Sequence, residues 1–136
     1  MIRLILSVAI TWSVANTLKP IITWIKSGKI NKETIFTKGG MPSGHTALAA
    51  PLASALFFET GFSSLFATAL ILTILVVYDA VWVRTVIEKQ SRIINALTKN
   101  RDDLPRMEEN VGHTPAEVLV SLALSILIPA LIYKVF

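Results

Sequence analysis

The chain contains two histidines, His45 and His113, and no cysteine. Thiol catalysis, disulfides and thiolate metal sites are therefore excluded, and a zinc site built from histidines alone is not expected. Each histidine follows a glycine where a loop runs into an apolar segment. The first junction reads Gly39-Gly40-Met41-Pro42-Ser43-Gly44-His45-Thr46, and the second Gly112-His113-Thr114-Pro115-Ala116-Glu117. A helix start presents free N–H groups and the positive end of the helix dipole, a setting that suits an anion. Glycines allow close backbone approach, and Ser43 fits an N-cap. An imidazole placed there supplies a proton or a lone pair, so acid–base or nucleophilic chemistry on a phosphoryl group is the natural expectation. In the second junction Thr114 fits N-cap, Pro115 fits N1 and Glu117 fits N3, the T-x-x-E capping box. Glu117 either caps the helix alone or also orients His113; the two roles are compatible.

The elements that must position these residues are membrane segments. Of the 136 residues, 53% are hydrophobic and 16% charged, with a mean hydropathy of +0.62; a typical soluble domain has about 25% charged residues. A disordered chain, a disulfide scaffold and an ordinary soluble enzyme are all disfavoured, and the length suits one domain over residues 1–136. Four apolar segments stand out: Ile2 to Ile25, Ser43 to Glu59, Ser64 to Val83, and Pro115 to Phe136. The first would rise ~36 Å as a helix, enough for a ~30 Å hydrocarbon core. It continues too far, without a small-residue cleavage site, to be a signal peptide. The second is short for a span and contains Pro51, which a membrane helix tolerates if neighbours satisfy the freed carbonyl. Arg84 to about Lys99 reads as a helix leaving the membrane along its interface, with Val86, Ile87, Ile93, Ile94 and Leu97 as an apolar stripe. Asn100 to Glu109 reads as a loop, its acidic residues solvated.

Net charge is +4, and the placement of the charge is informative. Glu59 to Ser63 forms a tight turn between the second and third segments. The two long connections then fall on one face. Lys26, Lys29, Lys32 and Lys38 lie in the first, and Arg84, Lys89, Arg92, Lys99, Arg101 and Arg106 in the second, ten of the 13 basic residues. The positive-inside rule makes that face, which carries both histidines, cytoplasmic. Both termini and the 59–63 turn belong to the opposite side. Lys19 and Asp79 lie within apolar segments, where ions are costly and face a partner or a wet cavity. Lys19 either snorkels to the interface or holds an anion. Asp79 pairs with Lys19, Arg84 or Lys89; a metal role with Glu88 is the lesser alternative. Asn16 is expected to hydrogen-bond a neighbouring helix. Trp12, Trp24, Trp82 and Tyr133 include candidate interface anchors, and the small residues of the second segment suit close helix packing. Nothing resembles a nucleic-acid module.

GGMPSGH, YDAVWVR with the following Lys89-Gln90, and GHTPAEVL resemble the divergent branch of the type 2 phosphatidic acid phosphatase superfamily, also described as acid phosphatase/vanadium-dependent haloperoxidase-related. The resemblance runs from Asn16-Leu18-Lys19-Pro20 through the last segment. It implies that His113, in His113-x-x-x-Glu117, attacks phosphorus and becomes phosphohistidine. It further implies that Glu117, standing where the wider superfamily has Asp, holds the imidazole tautomer, and that His45 protonates the leaving oxygen. Backbone amides at Ser43 and Gly44 would bind non-bridging oxygens. The departures are specific. Lys19-Pro20 matches only the end of the usual K-x-x-x-x-x-x-R-P motif, with Lys for Arg and Trp12 seven residues earlier. Met107 occupies the place of the arginine six residues ahead of the nucleophile, with Arg106 one residue off. Lys19, Arg84 and Lys89 are the candidates to bind phosphate instead, with Asp79 holding a basic side chain in position.

The expectation is therefore an all-α integral membrane bundle of about four transmembrane helices plus one cytoplasmic or interfacial helix, smaller than the six-helix core of the wider superfamily. It would sit in the cell membrane and hydrolyse a phosphomonoester or diphosphate of a lipid. A polyprenyl diphosphate phosphatase and a non-catalytic lipid-phosphate binder are the alternatives. No cofactor is expected, magnesium being the exception the carboxylates leave open; a homodimer would supply further packing. A small transporter subunit is disfavoured because no pair of broken, pseudo-symmetric helices appears.

Overall fold

The computed structural model describes residues 1–28 and 40–136. The described residues form helices and no strand. In chain order these are α1 (Ile2–Ser27), α2 (Gly44–Thr60), α3 (Ser64–Tyr78), a π-helical turn (Asp79–Val83), α4 (Arg84–Leu97) and α5 (Pro115–Val135). The α2 helix is central and packs against α1, α3 and α5, and α1 also packs against α5.

The packing reverses that of a soluble protein. Most buried positions are small or hydroxylic, among them Ala15, Ala47, Ala50, Ala53, Ala55 and Ala69, with Ser7, Thr11, Ser121 and Ser125. Large apolar side chains such as Leu70, Ile71, Leu75, Leu127 and Leu131 point outward. Small residues let helix backbones approach closely where lipid tails remove the hydrophobic drive for association. The buried hydroxyls are satisfied within the bundle. Ser7, Thr11 and Ser125 each donate to the carbonyl four residues earlier, and Thr73 donates to Ala69 and, across to α2, to Ala49.

Among the described residues three helices are long and apolar enough to cross a membrane: Ile2–Ile25, Ser64–Leu97 and Pro115–Val135. The α2 helix, with 17 residues, would rise about 26 Å, short of a ~30 Å core. The fourth span expected from the sequence is thus a shorter central helix. The third segment and the helix from Arg84, read from the sequence as a span and a separate interfacial helix, are continuous. A 34-residue helix, Ser64–Leu97, runs through both, because the π-turn changes helical register without ending the helix. Asn100 to Glu109 is a loop, as expected.

One end of the bundle gathers both termini and the α2–α3 turn. The Met1 ammonium lies 3.1 Å from Glu59 Oε1, Arg3 donates to the Phe136 carbonyl, and the Tyr133 hydroxyl donates to Glu59. The two histidine junctions lie at the other end. Lys29, Lys32 and Lys38 fall outside the described residues.

Candidate active site

The second junction folds as its residues dictate. Thr114 Oγ1 accepts the Glu117 N–H at 3.4 Å, and Glu117 Oε2 accepts the Thr114 N–H at 3.3 Å, closing the capping box. The same carboxylate oxygen accepts from His113 Nδ1 at 3.0 Å. Both roles of Glu117 are therefore realised in one geometry. An ionised carboxylate only accepts, so the His113 proton sits on Nδ1 and the lone pair on Nε2. That Nε2 is buried and has no hydrogen-bond partner among the described residues. Burial holds the His113 imidazole below the ordinary histidine range, and the Glu117 hydrogen bond and charge act the other way. The ring is therefore neutral at neutral pH.

His45 stands in the first turn of α2, its ring centroid 5.9 Å from that of His113 and its plane inclined by 62°. Its Nδ1 is also buried and unpartnered among the described residues. Ser43 caps α2 by accepting the Thr46 N–H at 3.4 Å. The Ser43 N–H donates to the Glu117 carbonyl at 3.2 Å, and the Ser43 carbonyl accepts from Ser121 Oγ at 3.0 Å. These bonds staple the start of α2 to the start of α5 and set the two imidazoles side by side. The Ser43 amide is thereby engaged, which leaves Gly44 and His45 to supply the amides of the helix start. Ser121 is a member of this site that the sequence reading missed. Its only signal was a hydroxyl four residues after Glu117 in an apolar run.

The π-turn is a second missed feature. Within it the Arg84 N–H bonds the Asp79 carbonyl, five residues back, in place of the Ala80 carbonyl. The Ala80 carbonyl instead accepts the His113 N–H at 3.1 Å. In an α-helix, residues five apart point about 140° away from each other. The wider turn brings them together, and Arg84 Nε meets Asp79 Oδ2 at 3.1 Å. Such bulges recur at functional sites. Gly112 completes the contact. A Cβ there would lie 2.9 Å from Thr85 Oγ1 and 3.2 Å from the Thr85 Cα, and its N–H donates to Glu88 Oε2 at 3.3 Å.

The remaining candidates divide. Lys19 is buried, its stem beside Gly40, where φ is +98°. Lys19 and Arg84 are the cations whose charge acts on both imidazoles, with Asp79 acting on His45. Lys89 is exposed on α4 and acts on neither. Glu88 binds Arg92 and the Gly112 N–H rather than facing Asp79. Among the described residues no three His, Asp or Glu side chains converge on a metal position. Arg106, one residue from the family's arginine position, donates to the Asn95 and Lys99 carbonyls and closes the end of α4. Met107 is pinned through its backbone by Asn95. Asn16 bonds the Trp12 carbonyl of its own helix, not a neighbouring one as expected; its Oδ1 lies against Gly44.

Two imidazoles side by side, one fixed through Nδ1 by Glu117 and both within the field of Lys19 and Arg84, suit phosphoryl chemistry. The profile of the Divergent PAP2 family matches residues 2–128. The chain belongs to that family. It is also 31% identical to the uncharacterized membrane protein YuiD of Bacillus subtilis (strain 168), over 76% of this chain and 77% of the relative. No solved structure matches the chain. Together with the three long apolar helices, the family and the relative make this a membrane protein related to phosphatases.

Proposed function

We propose that the protein is a membrane lipid phosphatase that hydrolyses a phosphomonoester or diphosphate of a lipid through a phosphohistidine. The observation that carries this reading is the His113 ring, held at Nδ1 by Glu117, with its buried Nε2 free to attack and a second imidazole at 5.9 Å. Nε2 attacks phosphorus, the bond from phosphorus to the alcohol oxygen breaks, and His45 gives that oxygen a proton. His45 then takes a proton from water, the hydroxide attacks phosphorus, and the phosphorus–nitrogen bond breaks to release phosphate and neutral His113. Lys19 and Arg84 neutralise the non-bridging oxygens, aided by the amides at Gly44 and His45. Asp79 positions Arg84. Lys89, exposed and with its charge acting on neither ring, serves at most the approach of the anion. The bilayer holds the lipid chain while the headgroup reaches the histidines at the interface that the positive-inside rule, applied to the lysine- and arginine-rich connections, assigns to the cytoplasm.

The test is phosphate release by the purified protein from phosphatidate, phosphatidylglycerophosphate and polyprenyl diphosphate, with magnesium or with chelator, beside His113→Ala. Release that survives chelator and is lost in the variant supports histidine chemistry. Release that persists in His113→Ala sinks it. Headgroup binding without release from any substrate marks a lipid-phosphate binder, in keeping with Met107 standing where the superfamily has arginine.

A further inference from the structure

A groove of about 590 Å³ runs along the outside of the bundle between α1 and α3, with α2 as its floor. His45 closes it at the end where His113 stands. Leu48 and Leu52 follow one and two turns along α2, with Val8 of α1 and Leu72 and Val76 of α3 as walls, and every lining side chain except His45 is apolar. A second apolar cavity, of about 420 Å³ and lined by Phe57, Phe66 and Ser54 among others, touches neither histidine.

We propose that the groove seats the hydrocarbon of the leaving alcohol, and that this alcohol is a single apolar chain rather than a diacylglycerol. The inference rests on the phosphatase reading above and orients it. In an in-line displacement the leaving oxygen departs on the side away from the attacking nitrogen. His113 attacks, so the oxygen and the carbon it carries leave toward His45, and His45 opens onto this groove and not onto the other. The groove turns apolar immediately past His45, at Leu48 and Ala49. A diacylglycerol carries two ester groups within a few atoms of that oxygen, and dry carbonyls without donors are disfavoured there. A long-chain alkyl or prenyl alcohol carries none. The volume is in the range of a site for one small ligand.

The test compares kcat/KM of the full-length protein in detergent for geranylgeranyl phosphate, hexadecyl phosphate, dioleoyl phosphatidate and the chainless p-nitrophenyl phosphate. The proposal expects one of the two single-chain esters to exceed phosphatidate, and the two arms tell prenyl from alkyl. Ala49→Phe and Ala9→Phe, which fill the groove from two different helices, should lower the ratio of kcat/KM for the single-chain ester to that for p-nitrophenyl phosphate by about tenfold or more. Ser54→Phe, in the second cavity, should leave it unchanged. Preferred hydrolysis of phosphatidate, or a ratio that falls with Ser54→Phe and not with either groove variant, overturns the proposal. If no ester is hydrolysed, the phosphatase reading fails separately. Geranylgeranyl phosphate binding then decides the groove: weakening by Ala49→Phe but not by Ser54→Phe supports it, and unweakened binding overturns it.

Discussion

Glu117 holds two N–H groups with one oxygen, and the two jobs separate chemically. Glutamine satisfies the capping position as well as glutamate does but removes the charge that steadies an imidazolium or a phosphohistidine. Glu117→Gln is therefore expected to keep its melting temperature while kcat falls about 10²–10⁴-fold. A kcat within a few-fold of the wild type would reduce Glu117 to a cap. The lowered proton affinity of His113 fixes a second expectation. A nucleophile that is neutral below the ordinary histidine value of ~6.5 places the acid limb of the kcat/KM profile below that value, a limb at or above it being the contrary result. Stability follows the same sign. Between the folded and unfolded values the unfolded chain binds more protons. His113 therefore destabilises the fold as pH falls from the ordinary value through the folded one, and contributes no slope above it.

At the scale of elements, the long α3–α4 helix works as a post to which the His113 loop is tied. Ala80 holds the His113 N–H, Glu88 holds the Gly112 N–H, and Asn95 holds Met107 and Glu109. The starts of α2 and α5 were legible in the sequence, because Ser43 and Thr114 are N-caps whose hydroxyls have one obvious use. The sequence did not reveal that α3 and α4 are one helix, since Arg84 and its polar successors look like an exit from the membrane whether or not the backbone breaks. Gly112 tests the post. Its added Cβ meets Thr85 backbone and side chain together, whereas a Cβ at Gly44 meets only Asn16 Oδ1 at 3.7 Å, an ordinary contact. Gly112→Ala is expected to cost about 1–3 kcal/mol by overpacking and to lose most activity, with Gly44→Ala staying close to wild type in stability. Equal thermal melts for the two variants would refute the close approach.

For the molecule as a whole, burying alanine, serine and threonine while exposing leucine and isoleucine makes sense only with lipid outside. The two ends then differ in kind: termini, Glu59, Phe57, Phe58 and Phe62 at one, and histidines with Lys19 and Arg84 at the other. The proposed orientation puts the histidine end in the cytoplasm. The chain has no cysteine, so single cysteines report cleanly. Asn100→Cys is expected to react with an impermeant maleimide only from the cytoplasmic side, and Phe62→Cys, at a position 89% exposed, only from the other. Labelling of both from one side would contradict the hairpin of α2 and α3.

Composition and spacing by themselves determined that the chain is helical and apolar enough to sit in lipid, and they singled out His45, His113 and Glu117 as its candidate chemical residues. These are properties of local pattern: apolar run length, N-cap residue types and glycine–histidine junctions. Only the tertiary structure decided which cations join them. Lys19 and Arg84 reach the imidazoles and Lys89 does not, because a π-turn and the packing of α1 against α2 rotate side chains by amounts no one-dimensional spacing encodes. It decided the same for Ser43, Ser121 and Ala80, whose site contacts link residues 33 to 78 positions apart in the chain.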